Sequence, residues 1–189
     1  MVSGVGRGVG DAQSNTVKVV SIIGTCHEYQ YVRGIVSASC QEFRVVLKIE
    51  AALKGARAIA EEMSPEALRL HGAIDSIPRQ VAEELPLAHR YCDPDSEERR
   101  ALELAIDEDS IRMPMTLNAR PSAEIEAAVA ADRAKRESEW IRRLVQLGNW
   151  PVVFVCGRNH AHGFRAQLLA AGINATLYNP DWKPSRMAN

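Results

Sequence analysis

Two segments place a histidine three residues after a glycine at the end of a short apolar run. Val19-Val20-Ser21-Ile22-Ile23 leads into Gly24-Thr25-Cys26-His27-Glu28, and Val152-Val153-Phe154-Val155-Cys156 leads into Gly157-Arg158-Asn159-His160-Ala161-His162-Gly163. Imidazole is the one side chain whose ordinary titration lies near neutral pH, so it serves as base, acid or metal ligand. When a buried parallel strand ends in glycine, the backbone can turn tightly and aim the next side chains into the crevice above the sheet. Two such tips from distant parts of the chain predict one shared site.

The elements that must position these tips follow from the hydrophobic pattern. A strand over Val17–Ile23 is followed by a helix over Ser39–Lys54, with Phe43, Val46, Leu47, Ile49 and Leu53 apolar and Gly55 as its stop. Ala58-Ile59-Ala60 before Glu61-Glu62 has mixed propensity, but its place after a helix and before Ser64-Pro65 reads as the second strand of a βαβ unit. Ser64 caps a short helix with Pro65 in its first turn. A helix over Ile77–Leu85 and a strand over Leu87–Cys92 follow, and Asp95 with Glu98 has capping-box spacing for the next helix. Asp93 stands at a strand tip, open to a role in chemistry or in the turn before Pro94.

Residues 107–120 lack periodicity and read as an irregular connection placed to cover the site. A long helix over Ser122–Leu147 ends at Gly148 and Pro151. The strand from Val152, a helix over Gly163–Ala171 and an edge strand over Ile173–Tyr178 complete the pattern, with Asn179 onward read as a polar tail containing Trp182. Alternating β and α segments predict a single α/β domain over residues 17–182, with a mainly parallel sheet flanked by helices. Residues 1–16, with Gly4, Gly6, Gly8 and Gly10, read as a flexible arm; they precede a strand and lack dinucleotide-motif spacing. Residues 183–189 read as a polar tail.

On a helical wheel of the long helix, Ile125, Val129, Trp140, Leu144 and Leu147 share one face. Arg136 falls inside that face. A charge there is costly to bury unless paired, so a guanidinium aimed into the site, holding a carboxylate or an oxyanion, is one reading. Arg133 and Glu137 lie nearer the edges, where their stems can reach water.

Composition sets outer bounds. The chain has 189 residues, 46% of them hydrophobic, enough for one real core. Its 23 basic and 24 acidic side chains leave no footprint for nucleic acid or an anionic membrane surface. Its apolar runs are strand-sized, and the Gly-rich start has no apolar segment of signal-peptide length, so a cytoplasmic protein is expected. Cys26, Cys40, Cys92 and Cys156 are too widely spaced for a zinc knuckle or redox pair; Cys26 alone lies inside a candidate tip.

These marks resemble the TraB/PrgY and Tiki group, within a superfamily that includes erythromycin esterases and ChaN haem-binding proteins. The likeness rests on the two Gly-x-x-His segments, an acidic residue at the end of the second strand, and Arg136 followed by Trp140 on a late helix. It implies that the two motifs face each other. It further implies a divalent-metal peptidase, a histidine-based lactone hydrolase or a haem binder, according to branch. Carried onto this chain, the marks fall on His27, Glu61 with Glu62 as its neighbour alternative, Arg136 and His160.

His27, His160 and Glu61 would then hold Zn²⁺, Mn²⁺ or a similar ion that lowers the pKa of a bound water. Glu61 or Glu62 would be ligand or general base, and Arg136 would stabilise the oxyanion. The expectation is a small hydrolase of an ester, lactone or amide in a small molecule or peptide. The alternative is a non-catalytic binder of haem, metal or metabolite using the same loops. His162 is an open second contributor. His71 and His89 lack supporting context and read as structural.

Overall fold

The computed structural model describes residues 17–105, 111–113 and 122–185. The expected arm at 1–16, most of the irregular connection at 107–120 and the end of the tail at 186–189 lie outside the described residues.

Five strands form one parallel sheet: β1 (Val19–Thr25), β3 (Ala58–Glu61), β5 (Ala88–Tyr91), β6 (Val152–Gly157) and β7 (Asn174–Trp182), in the spatial order β5-β3-β6-β1-β7. Helices α1 (Ala38–Leu53) and α3 (Ile77–Glu84) pack on one face through Phe43, Leu47, Ile77 and Val81. The opposite face is covered by α5 (Ser122–Leu147) and α6 (Ala161–Ala170) through Trp140, Leu144, Phe164 and Leu168. Two short helices, α2 (Pro65–Leu70) and α4 (Ser96–Ala101), sit at the ends of strands. The α/β class and the mainly parallel sheet agree with the sequence expectation.

Local chemistry accounts for the element starts. Ser37, Ser64 and Ser76 each accept a backbone N–H in the first turn of α1, α2 and α3. Asp95 and Glu98 complete the expected capping box at α4. Ile125, Val129, Trp140 and Leu144 of the long helix are buried, as its wheel predicted.

The last strand runs further than the sequence suggested. Trp182, read as part of a polar tail, is buried against Tyr29 and Phe43. Its carbonyl accepts the Thr25 hydroxyl at 3.1 Å. Polar residues at 179 and 181 hid a strand whose outer side faces solvent. The sequence reading also missed β2 (Tyr31–Val32) and β4 (Asp75–Ser76), a two-stranded antiparallel pair too short to leave a period.

The strand order positions the site. α1 follows β1 on one face, whereas α6 follows β6 on the other, and β1 and β6 are neighbours. The chain thus diverges to opposite faces between these two strands, opening a crevice at their carboxyl ends where open α/β sheets bind ligands. Both Gly-x-x-His segments lie there.

Candidate functional site

A cavity of about 640 Å³ opens over the carboxyl ends of β1, β3 and β6, lined among others by Cys26, His27, Glu62, Arg136, Asn159 and His160. His27 begins a short 3-10 turn, His27–Tyr29, directly after β1. His160 is the N-cap residue of α6. The two imidazoles meet on one carboxylate: His160 Nε2 lies 3.4 Å from Glu62 Oε1, and His27 Nε2 lies 3.9 Å from Glu62 Oε2. Their exposure differs sharply, the His27 side chain being 44% accessible and that of His160 only 6%.

Glu61, expected as metal ligand, is not in this cavity. Successive residues of a strand point to opposite faces. Ala58 and Ala60 belong to the core under α5 and α6, and Glu62, next in that parity, follows them toward Arg136 and His160. Glu61 shares the parity of Ile59 and points under α3, where its Oε1 accepts the Ser76 hydroxyl at 2.5 Å and meets His89 Nε2 at 2.8 Å. Burial raises its pKa, against the opposing pull of His89 and Ser76. The assignment of Glu61 as ligand and base is therefore corrected: the carboxylate between the histidines is Glu62, and Glu61 is part of the packing around His89.

Glu62 is fully engaged. Its Oε2 accepts the Gly157 amide at 2.7 Å, and its Oε1 accepts Arg136 Nη2 at 3.0 Å. Burial would raise its pKa, but His160, His27 and Arg136 outweigh that and hold it down to about 2. Arg136 is buried within the apolar face, as its wheel position foretold, and is paired. Asp93 takes its Nε and Nη2 at 3.2 and 2.9 Å, accepts Trp140 Nε1 at 3.1 Å, and is also bonded by Arg99. Asp93 is thus neither a simple turn residue nor a free acid. It is the buried anion that allows Arg136 to sit in the core.

His160 is held from behind. Its Nδ1 lies 2.9 Å from Glu137 Oε1. Glu137, read from the wheel as an edge residue reaching water, is 3% exposed, because α6 packs over that edge of α5. Burial pulls the His160 pKa down, but Glu62 and Glu137 prevail and its net direction is upward.

The glycines act by close approach rather than by turning. Gly24 and Gly157 lie within strands, with no left-handed φ. A Cβ on Gly157 would stand 2.6 Å from His27 Nε2 and 3.3 Å from Glu62 Oε2. A Cβ on Gly24 would stand 2.2 Å from the Pro180 carbonyl oxygen. The expectation that these residues serve a tight turn is corrected accordingly: Gly157 makes room for His27 and Gly24 for the last strand.

His71, read as structural, lines the cavity with its ring stacked on Tyr31 at 5.2 Å. Burial, then His27 and Arg33, lower its pKa. His162 is exposed on α6 outside the cavity lining. Cys26 lines the cavity beside His27, whereas Cys40, Cys92 and Cys156 are buried. Burial pushes the Cys92 thiol up to about 12 and that of Cys156 well up, as expected of inert core thiols.

The expected set of His27, His160 and Glu61 is not brought together, because Glu61 lies under α3 and outside the cavity. Among the described residues no group of three or more His, Cys, Asp or Glu gathers as ion ligands. A dication on Glu62 would also lie against the Arg136 guanidinium, which already neutralises the same oxygen. Both nitrogens of the buried His160 face carboxylates, whereas the His27 ring is open to the cavity. Among the described residues no helix is long and apolar enough to cross a membrane. Compared with known proteins, the chain matches no family model, no curated protein and no solved structure.

Proposed function

We propose that this protein is a small hydrolase of an ester, lactone or amide bond, and that it works through unequal imidazoles rather than through a metal. The observation that carries this reading is the convergence of His27 and His160 on the Glu62 carboxylate at the edge of one cavity. The two rings sit in different settings, His27 open to solvent and His160 buried between two carboxylates.

His27 is the base. Its ring is open to solvent, and Glu62 stands close enough to stabilise the imidazolium that forms when His27 takes a proton from water. The water oxygen bonds to the substrate carbonyl carbon, and the oxyanion so formed is stabilised by Arg136 and the cationic His160 ring. Collapse of this intermediate breaks the bond to the leaving alcohol or amine, which receives the proton from His27. Glu62 keeps its charge throughout, held by Arg136 and the Gly157 amide. Glu61 takes no part.

The likeness to the TraB/PrgY and Tiki group supports the same reading. Its paired motifs, its acidic residue and its arginine on the penultimate helix have counterparts in His27, His160, Glu62 and Arg136. Among the branches, the histidine-based hydrolysis of the esterases suits the present donor set better than the metal-dependent peptidase.

The test is a panel of p-nitrophenyl esters, lactones and short peptides, assayed with the native protein and with the His27→Ala and His160→Ala variants. Turnover is expected in the native protein and should fall by about 100-fold or more in each variant. Equal turnover in native protein and His27→Ala would overturn the assignment. Binding of a panel member with no turnover would make the protein a metabolite binder instead.

A further inference from the structure

We propose that Glu137 is the positioning residue of this site, holding the His160 ring with a proton on Nδ1 and turning Nε2 toward Glu62, so that His160 stands as a cation at the cavity. The kinetic part of this inference rests on the hydrolase reading; the structural part does not.

The argument begins with a carboxylate that the sequence placed at the edge of a helix and the fold buried. Glu137 Oε1 lies 2.9 Å from His160 Nδ1, and its Oε2 accepts Gln167 Nε2 at 2.5 Å. The Gln167 side-chain oxygen lies 3.0 Å from the Ser138 hydroxyl, whose single hydrogen is shared with the Ala134 carbonyl 2.8 Å away. Both oxygens of Glu137 therefore have donors, and the carboxylate cannot swing away without losing them. An ionised carboxylate only accepts, so the nitrogen facing it must carry hydrogen.

The other nitrogen of the ring then decides its charge. Nε2 lies 3.4 Å from Glu62 Oε1. A neutral ring with hydrogen on Nδ1 would aim the Nε2 lone pair at an anion, whereas an imidazolium aims an N–H at it. The groups facing this ring are Glu62 beyond the end of β3, Glu137 and Arg136 on α5, and the Trp140 ring, 5.0 Å away between centroids in a T-shaped arrangement. Two carboxylates against one guanidinium, itself neutralised by Asp93, favour the cation.

Gly163 completes the arrangement. A Cβ there would lie 3.2 and 3.3 Å from the two Glu137 oxygens, so the missing side chain lets the carboxylate lie against the first turn of α6. Glycine at 163, glutamate at 137 and histidine at 160 thus form one unit that the spacing of the second Gly-x-x-His motif does not reveal.

Nuclear magnetic resonance of ¹⁵N-labelled intact protein reads this directly, because nitrogen shifts report both tautomer and titration midpoint. His160 is expected to titrate above the usual histidine range in the native protein. In Glu137→Gln it should titrate lower by about one pH unit or more, with the Nδ1 proton no longer fixed. Gln167→Leu, which keeps the carboxylate but removes one of its donors, should give a smaller shift in the same direction. It keeps the question answerable if Glu137→Gln fails to fold. An unchanged His160 midpoint in either folded variant overturns the proposal. On an ester that the native protein hydrolyses, Glu137→Gln should lower kcat at constant KM and move the alkaline limb of the pH profile to lower pH. If His160→Ala keeps full turnover while the resonance shifts occur, the hydrolase reading fails and the positioning role stands. If His160→Ala loses turnover and Glu137→Gln leaves both midpoint and alkaline limb unmoved, the reverse holds.

Discussion

The Gly157 amide donates a 2.7 Å hydrogen bond to Glu62 Oε2, joining residues 95 apart in the chain. This one contact ties the tip of β6 to the end of β3, directly beneath the His27 ring. It also explains why a glutamate can be buried here as an anion: it meets a backbone donor on one oxygen and the Arg136 guanidinium on the other.

Replacing that carboxylate should expose the cost of the cations around it. Glu62→Gln leaves His160 facing a neutral amide and removes one of the two acids paired with Arg136. Breaking a buried charge network from one side typically costs about 3–5 kcal/mol. Chemical denaturation should show a loss in the lower part of that range, since Asp93 still holds Arg136. A loss below about 1 kcal/mol would mean that Glu62 is not the ion partner described here.

Two glycine substitutions should separate function from stability. In Gly157→Ala the new methyl meets the free end of the His27 ring, which can swing outward. The fold should survive with little change in Tm, while turnover falls by roughly 100-fold because the base is misplaced. In Gly24→Ala the methyl meets the Pro180 carbonyl, so β1 and the last strand must part. That variant should lose roughly 1–3 kcal/mol in stability. Thermal denaturation alongside an ester assay distinguishes the two, and a stable Gly24→Ala would contradict the strand packing.

The pH dependence of stability follows from two groups shifted in opposite directions. Glu62 is held at about 2 in the folded chain against an ordinary 4.5. Its contribution is present above about pH 4.5 and is lost as pH falls toward 2. His160 is raised above its ordinary 6.5. Its contribution is complete below about pH 6.5 and fades as pH rises through the folded value. Tm should therefore peak between these limits, and the His160→Gln variant should lose the alkaline decline. A native Tm that climbs steadily from pH 6 to 9 would refute this.

Metal removal should leave the proposed chemistry intact. Because the ligand set around Glu62 is occupied by Arg136 and the Gly157 amide, prolonged dialysis against EDTA should change neither Tm nor hydrolysis of a responsive ester. Loss of turnover on chelation, with recovery on adding Zn²⁺ or Mn²⁺, would restore the metal-based expectation.

Much of this was legible in the chain. Apolar runs ending in glycine located both strand tips, capping residues located the helix starts, and Arg136 stood out as a charge on an apolar wheel face. Those features are local, governed by hydrophobic period and backbone hydrogen bonding within a few residues, so the sequence by itself determined the α/β pattern and the pairing of His27 with His160 as an expectation. The choice between Glu61 and Glu62 was not local: it depends on strand parity relative to the covering helices, and a one-residue step in a strand reverses the face. The burial of Glu137 depends on α6 crossing α5, and that of Trp182 on Phe43 and Tyr29 arriving from the other end of the chain. Only the tertiary structure decided these, because burial and charge pairing arise between segments whose approach leaves no trace in the spacing of either one.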